Sequence, residues 1–195
     1  MPEVRLLMLL REPVRRAWSQ FVFTRQLGKE SRKFAAAVRD EMADPTCLPW
    51  PGRVPGYVAG GRYAERVQAV HDRFGRDALL VLFHEELVAD PLTAYAAACR
   101  HIGLNSSFVP DQRGENPGYD VRSYWIQRVL WAMWSREATN KLSRRLAPLN
   151  RRRGAYRAIP AEVARRLRGL YAEDSAQLCR VLQRPLPESW GVGGR

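Results

Sequence analysis

A short, nearly continuous apolar run, Val4 to Leu10, leads directly into Arg11 and then Pro13. Such a run is typical of a strand that is buried on both faces of a parallel sheet. Proline suits the first turn of a helix, because its missing N–H would have no partner there. The sequence therefore predicts a strand, a charged turn and a helix that ends near Gly28.

The rest of the chain contains one further apolar run, Ala78 to Phe83, among segments with helical spacing. Hydrophobic periodicity and the positions of proline and glycine predict helices over residues 31–42, 63–74, 91–103, 121–146 and 160–182. This order of elements predicts an α/β fold with a reduced parallel sheet and many helices. Two strands are few for such a sheet, so either a strand escapes recognition or the chain is short of strands.

The charge balance restricts the class of ligand. The chain has 195 residues, which suits one domain over residues 1–195, and its net charge is +12. Of its 32 basic residues, all but Lys29, Lys33 and Lys141 are arginine, the side chain that grips phosphate or carboxylate at two points. An anionic ligand, nucleic acid or acidic polymer would fit this balance. A solvated basic surface that reflects genome composition is the alternative.

Cysteine content and hydropathy indicate the compartment. Cys47, Cys99 and Cys179 lie far apart and form no C-x-x-C pair, so neither a zinc site nor a disulfide framework is predicted. The start does not resemble a signal peptide, and no apolar run approaches the ~20 residues that cross a bilayer. We therefore expect a cytoplasmic protein without a membrane span and without a metal.

Arg11 stands where α/β proteins bind ligands, which is outside the carboxyl end of a strand. The following helix would point its free N–H groups and positive dipole end into the same crevice. On that helix, Ser19 follows Arg15 by four residues and Arg16 by three, so these side chains are neighbours. The spacing is compatible with an anion pocket. The alternative is that Arg11 only caps the strand and Ser19 packs.

The segment LLMLLREPVRRAWSQF resembles the 3′-phosphate-binding segment of sulfotransferases that use 3′-phosphoadenosine 5′-phosphosulfate (PAPS). The family pattern is an apolar strand followed by R-x-P-x-x-R-x-x-S, and Arg11, Pro13, Arg16 and Ser19 fill its positions. In the family, the residues that match Arg11 and Ser19 hold the 3′-phosphate of the nucleotide. The resemblance implies that Arg11, Ser19 and Arg16 bind the donor.

Later segments resemble the same family in the same order. Residues 61–104 are similar to its G-x-Y-x-x-x-L motif, its F-G-x-x-x-L-L-V-L strand and its Y-E-D-L-x-x-D-P box, with His84 in place of the tyrosine. Residues 167–190 are like its final helix and tryptophan. The resemblance covers nearly the whole chain and implies a single sulfotransferase domain with a P-loop-like fold.

A basic stretch, residues 150–156, precedes the last helix. In the family, a basic loop with a glycine closes over the nucleotide phosphate at this place. The resemblance therefore implies that Arg152, Arg153 and Gly154 contact the donor. A solvated basic turn is the alternative interpretation of these arginines.

One family segment has no counterpart in the 195 residues. In the family, a strand and a P-K-x-G-T-T-like loop, which holds the 5′-phosphosulfate, precede the R-x-P segment. A histidine or glutamate that serves many members as the catalytic base lies between the two. We therefore expect a domain truncated at its N-terminus, without the first βα unit. His84, at a predicted strand end, is the candidate substitute base, and packing at the sheet edge is its alternative role.

The expected function is transfer of a sulfuryl group from PAPS to a hydroxyl or amine acceptor. One alternative is a nucleotide-binding remnant or partner subunit, as a homo-oligomer or with a complementing chain. Another is a basic nucleic-acid-binding protein, which is disfavoured because the sequence shows no helix-turn-helix, aromatic β-platform or zinc spacing. The acceptor is not identified, and the loops at residues 43–61 and 105–118 are expected to hold it.

Overall fold

A computed structural model describes residues 4–44, 56–110, 119–134, 137–153 and 158–191. The helices are α1 (Pro13–Gln26), α2 (Phe34–Ala43), α3 (Ala64–Phe74), α4 (His84–Ala89), α5 (Pro91–His101), α6 (Tyr124–Trp134), α7 (Glu137–Leu146) and α8 (Ala161–Leu182). The strands are β1 (Leu6–Leu10), β2 (Leu79–Phe83), β3 (Tyr119–Val121) and β4 (Arg151–Arg153). The fold is α/β, mostly helical with a small parallel sheet, as the sequence predicts.

The chain divides into two compact units. The first contains residues 1–15, 61–113 and 167–195, and the second contains residues 16–60 and 114–166. The sequence-based expectation of a single domain stays a prediction.

The core of the first unit forms on one face of the parallel pair β1–β2. Leu6 lies opposite Leu79, and Leu10 lies opposite Phe83, which confirms both predicted strands. Inward side chains of the two strands pack with α3, α8 and the C-terminal tryptophan in one cluster, which includes Leu10, Val81, Phe83, Val67, Leu178 and Trp190. Alternate residues of a strand point to opposite faces, so this cluster accounts for one face of β1.

The second face of β1 is open to solvent. Leu7 and Leu9 are 46% and 53% exposed. The expectation that this strand is buried on both faces is therefore wrong. Among the described strands, β1 pairs only with β2, and its apolar run reflects one buried face and one exposed face.

An aromatic cluster organises the second unit. The ring of Phe34 on α2 lies 5.0 Å from that of Trp18 and 5.1 Å from that of Phe21, both on α1. The ring of Phe21 in turn lies 5.8 Å from that of Tyr57. These edge and tilted contacts fix the angle between α1 and α2 and hold the segment after residue 55 against both helices.

The long helix predicted over residues 121–146 is divided in the structure. Val121 belongs to β3, which pairs in antiparallel fashion with β4. The helix begins only at Tyr124, because the Oγ of Ser123 accepts the main-chain N–H of Ile126 at 3.4 Å and caps the first turn. The segment continues as α6 and α7, and residues 135–136 lie outside the described residues.

None of the helices in the described ranges combines the length and the hydropathy that spanning a bilayer requires.

Candidate active site

Arg11 follows the last residue of β1, and Tyr63 fixes its main chain. The hydroxyl of Tyr63 donates to the carbonyl oxygen of Arg11 at 2.9 Å. The main-chain N–H of Tyr63 donates to Asp174 on α8 at 2.8 Å. Tyr63 belongs to the G-x-Y motif, but the sequence indicates no role for it. Its hydrogen bond to Arg11 spans 52 residues, and local spacing does not predict a contact over that distance.

The side chain of Arg11 is half-buried, and its Nε has no hydrogen-bond partner among the described residues. A buried N–H without a partner costs about 1–3 kcal/mol. The Nε is itself buried, so an anion that reached it would replace no existing hydrogen bond. The structure places Arg11 at the carboxyl end of a parallel strand, as the sequence predicts.

The first turn of α1 is not free for an anion, which corrects one sequence-based expectation. The carboxylate of Glu12 is buried, and its Oε2 accepts the main-chain N–H of Arg15 at 2.7 Å. A carboxylate in this position caps the helix and neutralises its positive end. The carboxylate of Glu12 thus occupies the place at the helix N-terminus where the sequence predicts a ligand.

Glu85 joins the ends of the two parallel strands. Its Oε1 accepts the main-chain N–H of Glu12 at 3.1 Å, while its Oε2 is buried without a partner among the described residues. Glu85 lies on α4, directly after β2, so this contact ties the turn after Arg11 to the neighbouring strand end. Glu85 follows His84 in the box that resembles Y-E-D-L-x-x-D-P, and the sequence alone does not predict this contact.

His84 is the first residue of α4 and lies in the same electrostatic environment. Burial lowers the pKa of His84 below 6.5, and the positive charges of Arg11 and Arg15 lower it further, against an opposing effect of Glu85. The imidazole is therefore neutral at pH 7 and can accept a proton. The sequence predicts that His84 lies at the end of a strand, where the structure places it. Its role as the catalytic base stays a prediction.

Arg16 and Ser19 belong to the second unit and lie one turn apart on α1. The Nη2 of Arg16 donates to the carbonyl oxygens of Gly56 and Tyr57 at 2.7 and 2.6 Å. Its guanidinium thus holds a loop, whereas Ser19 is half-buried. A donor contact of either residue stays a prediction.

Glu41 holds the same loop from the other side. Its Oε1 accepts the main-chain N–H groups of Val58 and Ala59, each at 3.0 Å. A Cβ atom at position 56 would collide with this carboxylate, and one at position 60 would collide with the guanidinium of Arg16. A side chain at position 56 or 60 would therefore displace Glu41 or Arg16 from the place where it holds the loop. The rest of the predicted acceptor loop, residues 45–55, lies outside the described residues.

The predicted basic loop before the last helix is partly a strand. Arg152 and Arg153 lie in β4, opposite Asp120 and Tyr119 of β3. Gly154 lies outside the described residues, as do residues 111–118 of the second predicted acceptor loop. Their contacts with a donor or acceptor stay predictions.

Asn150 anchors the start of this basic strand. Its Nδ2 donates to the carbonyl oxygen of Ser123 at 2.9 Å and to the Oε1 of Gln127 at 3.1 Å. Its Oδ1 accepts the main-chain N–H of Ser123 at 2.9 Å. Gln127 in turn donates to the carbonyl oxygen of Gln26 at the end of α1. The buried network joins α1 and α6 to the residue before the arginines.

A cavity of about 170 Å³ adjoins this network. Its walls are mostly apolar, and its polar lining comes from Gln26, Gln127, Ser143 and Arg151. Phe23, one turn after Ser19 on α1, is one of the apolar lining residues. Among the described residues, no cluster of His, Cys, Asp or Glu is arranged to hold a metal ion.

Comparisons with known proteins show the fold and the family of the chain. The crystal structure of a sulfotransferase from Alicyclobacillus acidocaldarius matches with a TM-score of 0.66 at 22% sequence identity. The match covers 97% of this chain and 58% of that one, so the chain spans a little over half the length of this relative. No curated protein matches the sequence. A family model described as the sulfotransferase domain matches residues 1–144, which include Arg11, Tyr63 and His84, and the chain therefore belongs to the sulfotransferase domain family.

Proposed function

We propose that this chain binds the 3′-phosphate of PAPS through Arg11 and serves in sulfuryl transfer to a hydroxyl or amine acceptor. The observation that carries the proposal is the position of the half-buried Arg11 at the end of a parallel strand, with an Nε that has no hydrogen-bond partner in the described part of the chain. Family membership supports PAPS as the donor. The 3′-phosphate is the group that distinguishes PAPS from common nucleotides. We also propose that the protein is located in the cytoplasm.

The cap of α1 by Glu12 supports an arginine, rather than the helix dipole, as the proposed anion ligand. Because the Arg15 N–H already has an acceptor, we propose that the guanidinium of Arg11 supplies the positive charge at this strand end. Arginine is suited to this role, since its planar fork can meet two phosphate oxygens at once. We propose Ser19, Arg152, Arg153 and Gly154 as further donor contacts on the basis of the resemblance, and we retain Arg16 as a weaker alternative because it binds main-chain carbonyls.

In the proposed reaction, the acceptor oxygen or nitrogen attacks the sulfur of PAPS. The bond between the sulfur and the 5′-phosphate oxygen breaks, and adenosine 3′,5′-bisphosphate leaves. The acceptor proton must pass to a base. His84 is the proposed base, because its lowered pKa keeps the imidazole neutral and able to accept that proton.

Isothermal titration calorimetry with adenosine 3′,5′-bisphosphate and adenosine 5′-monophosphate tests the proposal. We expect binding of the bisphosphate and at least about tenfold weaker binding of the monophosphate, because only the former carries the 3′-phosphate. Equal affinities would overturn the proposed donor class. Assays with radiolabelled PAPS and a panel of phenols and sugars then test transfer.

A nucleotide-binding chain without turnover is the second candidate. It differs from the first candidate only in that the bound nucleotide is not turned over. Bisphosphate binding without label transfer to any acceptor would favour this candidate. Transfer above a no-protein control would exclude it.

A further inference from the structure

The basic charge of the chain is concentrated in residues 121–153. This segment contains nine arginine and lysine residues and one acid, Glu137, so it holds eight of the twelve net positive charges. It comprises the end of β3, α6, α7, the 3-10 turn at residues 147–150 and β4. A local field of this strength attracts anionic partners.

The same segment exposes large apolar side chains. On α6, Trp125, Ile126 and Val129 are 68%, 52% and 58% exposed. Their spacing of three and four residues places them on one face of the helix. The guanidinium of Arg128 lies 5.9 Å from the ring centre of Trp125, so a positive charge flanks the apolar face.

The neighbouring helix repeats the pattern. Leu142 and Leu146 lie one turn apart on α7 and are exposed, and Leu149 on the following turn is 72% exposed. The exposed basic residues of this stretch are Lys141, Arg144 and Arg145. Exposed apolar side chains therefore alternate with cations and not with acids.

Both helices direct a different face inward. Leu130 and Trp131 of α6 line the cavity together with Ser143 of α7 and Ala147 of the turn. The exposed residues of α6 and α7 thus lie away from the cavity on two helices that contact each other. We call this region the α6–α7 surface; it consists of the exposed residues Arg122, Trp125, Ile126, Arg128, Val129, Lys141, Leu142, Arg144, Arg145, Leu146 and Leu149.

We propose that the α6–α7 surface docks the protein onto an anionic lipid bilayer. A tryptophan, branched aliphatic side chains and flanking arginines are the composition of segments that lie in the plane of a membrane interface. The aliphatic groups would enter the acyl boundary, and the arginines would remain among the anionic headgroups. The proposal concerns peripheral binding and does not depend on the proposed sulfuryl transfer.

Charge and side-chain type together favour this occupant over a nucleic acid. A nucleic acid would satisfy the arginines, but most of the apolar side chains of the surface are aliphatic and offer no ring for a base to stack on. An anionic bilayer satisfies both sets of groups at once.

Co-sedimentation of the full chain with vesicles tests the proposal. One set of vesicles contains phosphatidylcholine and phosphatidylglycerol, and the other contains phosphatidylcholine alone. We expect binding to the anionic vesicles that weakens in high salt, and little binding to the neutral ones. Each arginine near a charged surface contributes about fivefold to the partition coefficient.

Two variants probe the two halves of the surface. Trp125→Ser with Val129→Ser should weaken binding by roughly tenfold or more, because it removes apolar area from the interface. Arg144→Gln with Arg145→Gln should weaken it by roughly 25-fold, at about fivefold for each charge. All four side chains are exposed, so the fold should tolerate the changes.

Matched controls separate a specific surface from general stickiness. Phe108 and Val109 are each 67% exposed in the first unit, so Phe108→Ser with Val109→Ser removes a comparable exposed apolar pair elsewhere. Arg165 and Arg166 are adjacent exposed arginines on α8, so Arg165→Gln with Arg166→Gln removes the same charge. Both control variants should bind anionic vesicles within about twofold of the parent.

The result that supports docking is a loss in both surface variants and in neither control. Absence of binding to anionic vesicles would overturn the proposal, and so would equal losses in the control variants. Tighter binding to polyuridylate than to vesicles, unaffected by the Trp125 and Val129 changes, would also overturn it and would identify the surface as a nucleic-acid site.

Discussion

The Oε1 of Glu85 accepts the main-chain N–H of Glu12 at 3.1 Å. This bond crosses from the turn after β1 to the turn after β2, so the two strand ends are held together beyond the last pair of the sheet. The residue before Glu12 is Arg11, whose carbonyl oxygen is held by Tyr63. Two contacts from distant parts of the chain therefore hold the two edges of a single peptide unit, the one between Arg11 and Glu12 that directly follows the proposed phosphate ligand.

Replacement of Glu85 tests this junction. Glu85→Ala leaves the Glu12 N–H without its acceptor and should lower the free energy of unfolding by about 1–3 kcal/mol. Glu85→Gln keeps an acceptor oxygen and should cost less. Urea denaturation measures both values, with exposed Glu65→Ala on α3 as the control. Equal stabilities for Glu85→Ala and the parent would show that the bond contributes nothing.

Arg16 offers a test between two roles. The resemblance implies a donor contact, whereas the structure shows its Nη2 on the carbonyl oxygens of Gly56 and Tyr57. Arg16→Lys keeps the charge but cannot reproduce that contact, so we expect a loss of about 1–3 kcal/mol in unfolding free energy. We expect the affinity for the bisphosphate to change by less than about twofold.

Arg15→Lys is the matched control for Arg16, because the Arg15 side chain is exposed on the same turn. It should leave both stability and affinity unchanged. An affinity loss for Arg16→Lys without a stability loss would instead support a direct contact between Arg16 and the donor.

The pKa of His84 should report phosphate binding at Arg11. In the free protein, burial and the charge of Arg11 hold this pKa below 6.5. A bound phosphate offsets the positive charge, so the pKa should rise when the bisphosphate saturates the protein. NMR titration of the imidazole measures this shift, and His84→Gln identifies the signal.

The sign of the associated stability effect follows from the same pKa. Because the folded pKa of His84 lies below its unfolded value, the unfolded state binds more protons as the pH falls below 6.5. This group therefore lowers stability as the pH falls through that range, and His84→Gln should remove its share of the loss. A His84 pKa that does not respond to the bisphosphate would separate this residue from the phosphate site.

Local patterns in the sequence predict the elements near Arg11 well. The apolar runs before Arg11 and His84 indicate both parallel strands, and Pro13 marks the helix start. Contacts between distant residues are not predictable in this way. The roles of Tyr63, Glu85 and Asn150 depend on hydrogen bonds to residues far along the chain or on another element, and nothing in their spacing indicates them.

The two main errors also have physical reasons. The expectation that the N-terminus of α1 is free did not consider that Glu12 can cap its own helix. A carboxylate at this position usually suggests only a solvated charge. The expected strand with two buried faces came from an apolar run in which Leu7 and Leu9 are in fact exposed. Apolar composition alone does not distinguish a covered face from an open one.

The most direct test of the account is calorimetry of adenosine 3′,5′-bisphosphate with Arg11 variants. Arg11→Ala should weaken binding by roughly 10- to 150-fold, the loss of a charge-assisted hydrogen bond. Arg11→Lys should restore only part of it, and Ser19→Ala should cost roughly two- to tenfold. Adenosine 5′-monophosphate should respond to none of these changes. If Arg11→Ala is folded and binds the bisphosphate as tightly as the parent, then Arg11 is not the phosphate ligand and the central claim is wrong.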